Sequence, residues 1–186
     1  MAAGGSHRLD RRVNAYRADL AAAELAGMVE AERFTTGAEA QVVRGSVAVR
    51  AAPTSGEGLL TEALFGERVT VFEEQGGWAW VQLARDRYVG YVPADALTRS
   101  TRETGHRVKA LGTFLYSEPD IKSPPLMHLS LNSELSVSEA GEKFLALASG
   151  GYVIARHVAE SHRHASDFVD IAERFAGTPY LWGGRT

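Results

Sequence analysis

The sequence predicts a mainly β protein: two small β-barrels in tandem, with a short helix before them and another after. Two observations carry that expectation. From Met28 onward, β-branched and aromatic residues gather in short runs divided by Gly, Pro, Ser and Asp, which is the punctuation of strands and tight turns. The runs then come round a second time in the same order, as a duplicated supersecondary unit would.

Residues 1–8 are small, polar and glycine-bearing and are expected to be disordered. Ala18 to Ala26 is alanine-rich, with Asp19 early and Gly27 at its close, which predicts a short helix with an acidic start and a glycine stop. That helix belongs to an N-terminal extension, residues 1–35. The first barrel is placed at residues 36–99, with strands at 41–43, 47–50, 68–72, 78–83 and 88–92. Along the fourth of these, Ala79, Val81 and Leu83 share one face; Trp78, Trp80 and Gln82 share the other.

Residues 100–105 are polar and charged and read as a linker to a second barrel at 106–158. Val49-Arg50-Ala51-Ala52-Pro53 is echoed there by Leu115-Tyr116-Ser117-Glu118-Pro119. Val69-Thr70-Val71 is echoed by Leu135-Ser136-Val137, Trp80 by Phe144, and Tyr91-Val92 by Tyr152-Val153. Val49 to Tyr91 spans 42 residues (91 − 49) and Leu115 to Tyr152 spans 37 (152 − 115); the five missing residues are assigned to loops. Residues 159–165 form a second linker. In 166–186, Ser166 offers a helix cap, Phe168, Ile171, Ala172 and Phe175 make an apolar stripe, and Gly177 and Pro179 end the helix.

Composition bounds the chemistry. With 186 residues and 45% hydrophobic content the chain is ordinary globular material, and a net charge of −3 without a Lys/Arg stripe gives no footprint for nucleic acid. Zero cysteines exclude disulfides, thiolate metal sites and thiol nucleophiles. Met1 to Phe34 holds no long apolar run, so neither a secretory signal nor a membrane span is read there, and a cytoplasmic location is expected. His157, His162 and His164 lack the further ligands and supporting carboxylate that a metal site needs; no metal or cofactor is expected. Gly183-Gly184 reads as a tight turn, without the Lys and Ser/Thr of a phosphate loop.

Several motifs carry a family resemblance. The Val-Arg-x-x-Pro strand end, Leu64-Phe65-Gly66-Glu67, Gly77-Trp78 and Tyr88-Val89-Gly90-Tyr91-Val92 resemble a bacterial SH3-like domain. Two such domains followed by Pro179-Tyr180-Leu181-Trp182-Gly183-Gly184 resemble the NlpC family of cell-wall peptide hydrolases, over about Leu9 to Thr186. The branch resembled is the dipeptidyl-peptidase VI-like one, the γ-D-glutamyl-L-diamino acid endopeptidases of murein-peptide recycling.

The resemblance implies that residues 166–186 open a papain-like α+β domain, cut before its catalytic cysteine. A thiolate would attack the γ-linked amide there, with a histidine as base; neither is in this chain, which is expected to be inactive. Tyr180 matches a tyrosine whose hydroxyl helps stabilise the oxyanion. Glu67 and Tyr88 match the residues that meet the free α-amine of an L-Ala-γ-D-Glu-diamino acid peptide, a carboxylate and a phenol suited to an ammonium.

Each of these residues also has a plainer reading. Glu67 could be a solvated turn residue paired with Arg68 or a strand neighbour, Tyr88 an ordinary strand aromatic, and Trp78 and Trp80 packing rather than a ligand platform. The functional readings are therefore three. One is the substrate-gating region of a murein-peptide cysteine endopeptidase; another is a stand-alone SH3-like module binding cell-wall peptides or a protein partner; the third is a purely structural scaffold with no ligand. Oligomeric state is left open.

Overall fold

The structure, a computed structural model, describes residues 9–186. The expectation for residues 1–8 lies outside the described residues. Strand β1 (Leu20–Ala22) pairs in parallel with β2 (Arg33–Thr35). The first β unit then contains β3 (Ala38–Val42), β4 (Ser46–Arg50), β5 (Leu59–Leu64), β6 (Arg68–Gln75), β7 (Trp78–Leu83), β8 (Val89–Pro93) and β9 (Leu97–Thr98). They form one antiparallel sheet in the order β5-β4-β8-β7-β6-β3-β9.

Val42, Val49, Ala63, Val69, Val81 and Val92, one from each of six strands, meet in one buried cluster, so the sheet curls around a common core. Burying each valine contributes about 1.5–3 kcal/mol. The hydrogen-bond ladder stays open between β5 and β9; the unit has the strand content of a small barrel without full closure.

The second unit repeats the connectivity with β10 (His106–Val108), β11 (Gly112–Tyr116), β12 (Pro125–Ser130), β13 (Glu134–Leu135), β14 (Val137–Ala140), β15 (Phe144–Leu147), β16 (Tyr152–Ile154) and β17 (Val158–Glu160). Its β13 and β14 together correspond to β6, split at Ser136. The hydrogen bonds fix the correspondence residue by residue. Val42 N–H donates to Glu67 O and Val108 N–H to Ser133 O, each at 3.0 Å; Gly66 N–H donates to Val42 O and Asn132 N–H to Val108 O, each at 2.9 Å. Tyr91 pairs with Arg50, and Tyr152 with Tyr116.

This register corrects one echo. Trp80 faces Tyr91, as Ala146 faces Tyr152, so Phe144 corresponds to Trp78 and not to Trp80. The five-residue deficit lies wholly in the β7–β8 hairpin, where the first unit carries Arg85 to Tyr88.

The predicted helix over Ala18–Ala26 is instead strand β1 and one 3-10 turn, Ala23–Leu25. Ala15, Tyr16, Leu20, Ala21, Ala22 and Leu25 are all buried, packed with Trp80 and Val89. Leu20, Ala21 and Ala22 are buried in succession, which a helix with one solvent face cannot do, and this packing overrides alanine's helix propensity. The segment thereby covers the outer face of β7, so both faces of that strand are buried.

Residues 100–105 are tied down, not loose. Gln41 Nε2 donates to Gly66 O and Arg102 O, Arg102 N–H donates back to Gln41 Oε1, and Thr104 Oγ1 donates to Glu134 Oε2 at 2.9 Å. The two units also touch directly. Glu134 N–H donates to Phe65 O at 2.8 Å, and Phe65 enters the second unit's core. Gly66 sits at φ +82°, and a Cβ there would lie 2.0 Å from Glu134 O; glycine is needed twice over.

Helix α1 (Phe168–Glu173) is capped by Asp167, whose carboxylate accepts from Val169 N–H at 2.8 Å, and not by Ser166. A carboxylate is the stronger acceptor and also suits the positive end of the helix. The apolar stripe is largely open: Phe168 is 83% exposed. No helix of the described residues is long and apolar enough to cross a membrane.

Candidate functional site

The site begins with the β5–β6 turn. Gly66 turns the chain at positive φ and the second unit presses on it, so the backbone entering Glu67 is clamped. Glu67 then points inward: it is 1% exposed, and Leu64 N–H donates to its Oε2 at 3.1 Å. A buried carboxylate needs charge compensation or it would cost several kcal/mol.

The compensation comes from Arg185. Its Nη2 donates to Glu67 Oε1 at 2.6 Å and its Nη1 to Glu67 Oε2 at 3.1 Å, a two-pronged pair. Arg185 Nη1 also donates to Glu62 O at 2.7 Å, and Arg185 N–H to Glu62 Oε2 at 2.6 Å. Thr186 Oγ1 adds a bond to the same Glu62 oxygen at 3.1 Å. Arg85, on the β7–β8 hairpin, approaches Glu67 Oε1 at 3.5 Å.

Glu67 is therefore neither a solvated turn residue nor a partner of Arg68. Arg68 pairs instead with Glu103 at 2.6 Å and Glu39 at 3.5 Å.

Tyr88 is half-buried against the first core; its N–H donates to Asp86 Oδ1 at 3.1 Å and its carbonyl accepts from Leu83 N–H. Among the described residues no hydrogen bond joins its hydroxyl to Glu67; Arg85, three residues away, is the link between that hairpin and the carboxylate. Tyr180 is 84% exposed. It stands at the head of the turn that Arg185 anchors, with Gly183 at φ +74° and Gly184 N–H donating to Leu181 O.

Trp80 is 3% exposed, and its ring is occupied by the chain itself. The Arg17 guanidinium lies 4.3 Å from the ring centroid, donates to Tyr91 Oη at 2.8 Å and Glu73 Oε2 at 2.6 Å, and pairs with Asp19. Burial opposes the Arg17 charge, yet the bonds to Asp19, Glu73 and Tyr91 outweigh it and hold the guanidinium more firmly protonated than usual.

Glu62, Arg185 and Arg17 were not singled out by sequence reasoning. One signal existed for Arg185, the single cation among residues 177–186. Strand β5 was also missed, because Leu-Leu-Thr-Glu-Ala-Leu shows no alternation.

Comparison with known proteins fits this architecture. Residues 49–97 match the family described as the bacterial dipeptidyl-peptidase Sh3 domain. That stretch contains Glu62, Glu67 and Tyr88. The chain is 29% identical over 152 residues to dipeptidyl-peptidase 6 of Lysinibacillus sphaericus, covering 69% of this chain and 56% of that protein. It thus spans little more than half the length of that curated relative. A crystal structure of an NlpC/P60 family protein from Bacillus cereus ATCC 10987 superposes with a TM-score of 0.64 at 20% identity, over 79% of this chain and 66% of that one. At that identity the likeness is one of fold.

Proposed function

We propose that this chain is the cytoplasmic substrate-recognition region of a murein-peptide cysteine endopeptidase of the dipeptidyl-peptidase VI-like NlpC branch. The recognised ligand is the L-Ala-γ-D-Glu-diamino acid peptide, through its free α-ammonium. The observation that carries this reading is the buried Glu67 within the stretch matching the dipeptidyl-peptidase Sh3 domain, already engaged by a cation. In this reading Glu67 supplies the charge, Tyr88 a directional oxygen, and Tyr180 an oxyanion donor for a nucleophile outside these residues. An acylated amine would bring bulk and no charge, and would be rejected.

Calorimetry with the free and the N-acetylated tripeptide tests the reading. The free peptide binds and the acetylated one does not; Glu67→Gln weakens binding roughly tenfold or more, as loss of a charged hydrogen bond worth about 1.5–3 kcal/mol implies. Equal affinity for both peptides would refute it. Neither peptide is hydrolysed by these 186 residues, which contain no thiol.

A further inference from the structure

We infer that Arg185 is a positioning residue: held by Glu67 and Glu62, it docks the Tyr180–Gly184 turn onto the open edge of the first β unit. Strand β5 is an edge of the seven-stranded sheet, and an edge strand presents unpaired backbone groups. The turn closes on that edge directly. A Cβ at Gly183 would lie 2.7 Å from Leu60 O, so the backbone approach itself requires glycine.

Arg185 then closes the contact with its side chain and its own amide, reaching two carboxylates and one carbonyl. The planar guanidinium spans the Glu67 carboxylate and the Glu62 carbonyl, which a single ammonium group does not, while the backbone amide takes the Glu62 carboxylate. Glu67 thereby joins the turn to the β5–β6 corner across 118 positions of chain.

The consequence for Tyr180 rests on the recognition reading above; the docking does not. If Tyr180 serves a reacting bond, Arg185 sets where it stands relative to the recognition carboxylate.

Hydrogen exchange on the full chain tests the docking without any ligand. In Arg185→Ala the bonded amides of residues 184 and 185 exchange at least tenfold faster while β6, β7 and β8 keep their protection. Arg185→Lys falls between that variant and the parent, and Glu67→Gln behaves as Arg185→Ala. If Glu67→Gln loosens the whole first unit, the Arg185 variants decide, since their side chain lies outside the sheet. Unchanged exchange at 184 and 185 in Arg185→Ala would overturn the inference. Peptide affinity is read separately, by calorimetry on the same variants. A failure of peptide recognition thus leaves the docking result intact, and the reverse holds too.

Discussion

The two β units share one scaffold and differ in where buried charge is placed. Glu67 of the first corresponds to Ser133 of the second, at the same turn and with the same backbone bonds. Ser133 is fully buried, and its hydroxyl has no partner among the described residues. The hairpin that carries Arg85 and Tyr88 is cut short in the second unit to a Ser149-Gly150-Gly151 turn. Trp80 corresponds to Ala146. The fold therefore requires neither the carboxylate, nor the long hairpin, nor the tryptophan. Each is present only in the unit that is wrapped by residues 9–31 on one side and by residues 183–186 on the other.

Breaking the comparison at Trp80 has the largest effect. Trp80→Ala makes the first unit resemble the second, but strips the N-terminal segment of its main partner and of the Arg17 contact. A loss of about 3–5 kcal/mol is expected in urea denaturation. Phe144→Ala in the second unit, at the half-buried Trp78 position, costs clearly less.

Glu67→Ser copies the second unit's residue into the first. The sheet folds, and stability drops by about 1.5–3 kcal/mol through loss of the bonds from Arg185 and Leu64. Thermal denaturation reads this, and no drop would mean that the ion pair contributes nothing net.

The smallest effect sharpens the contrast from the other side. His157 of the second unit corresponds to Ala96 of the first and shares a 2.9 Å hydrogen bond with Thr113. Burial, with Arg156 and Lys109 nearby, lowers its pKa below the usual value. The unfolded chain therefore takes up the proton first as pH falls. Stability is full above about pH 6.5, declines below it, and levels off beneath the folded-state pKa. His157→Gln flattens that slope in denaturation curves taken across this range.

Much of the fold was legible because strands in a half-buried sheet alternate. The sequence run Trp78–Leu83 matches β7 residue for residue, and the Tyr-Val pairs mark the repeat. What failed shares a cause. The Ala18–Ala26 segment has helical composition but buries Leu20, Ala21 and Ala22 in succession, and β5 lacks alternation because four successive residues from Thr61 are buried. The sequence marks Glu67 as a turn residue of interest, yet its charge is compensated by an arginine 118 positions away, and local pattern carries no information about that partner. Trp80 followed the same rule: its face was correct, and its cover came from a segment read as a helix.

The most direct measurement is an NMR titration of the chain with the free-amine L-Ala-γ-D-Glu-diamino acid tripeptide. The account predicts amide shifts confined to the Gly66–Glu67 turn, the Arg85–Tyr88 hairpin and Arg185, with Ser133 and the Gly150–Gly151 turn silent. Shifts centred on the second unit, or none in the first at saturating peptide, would contradict it.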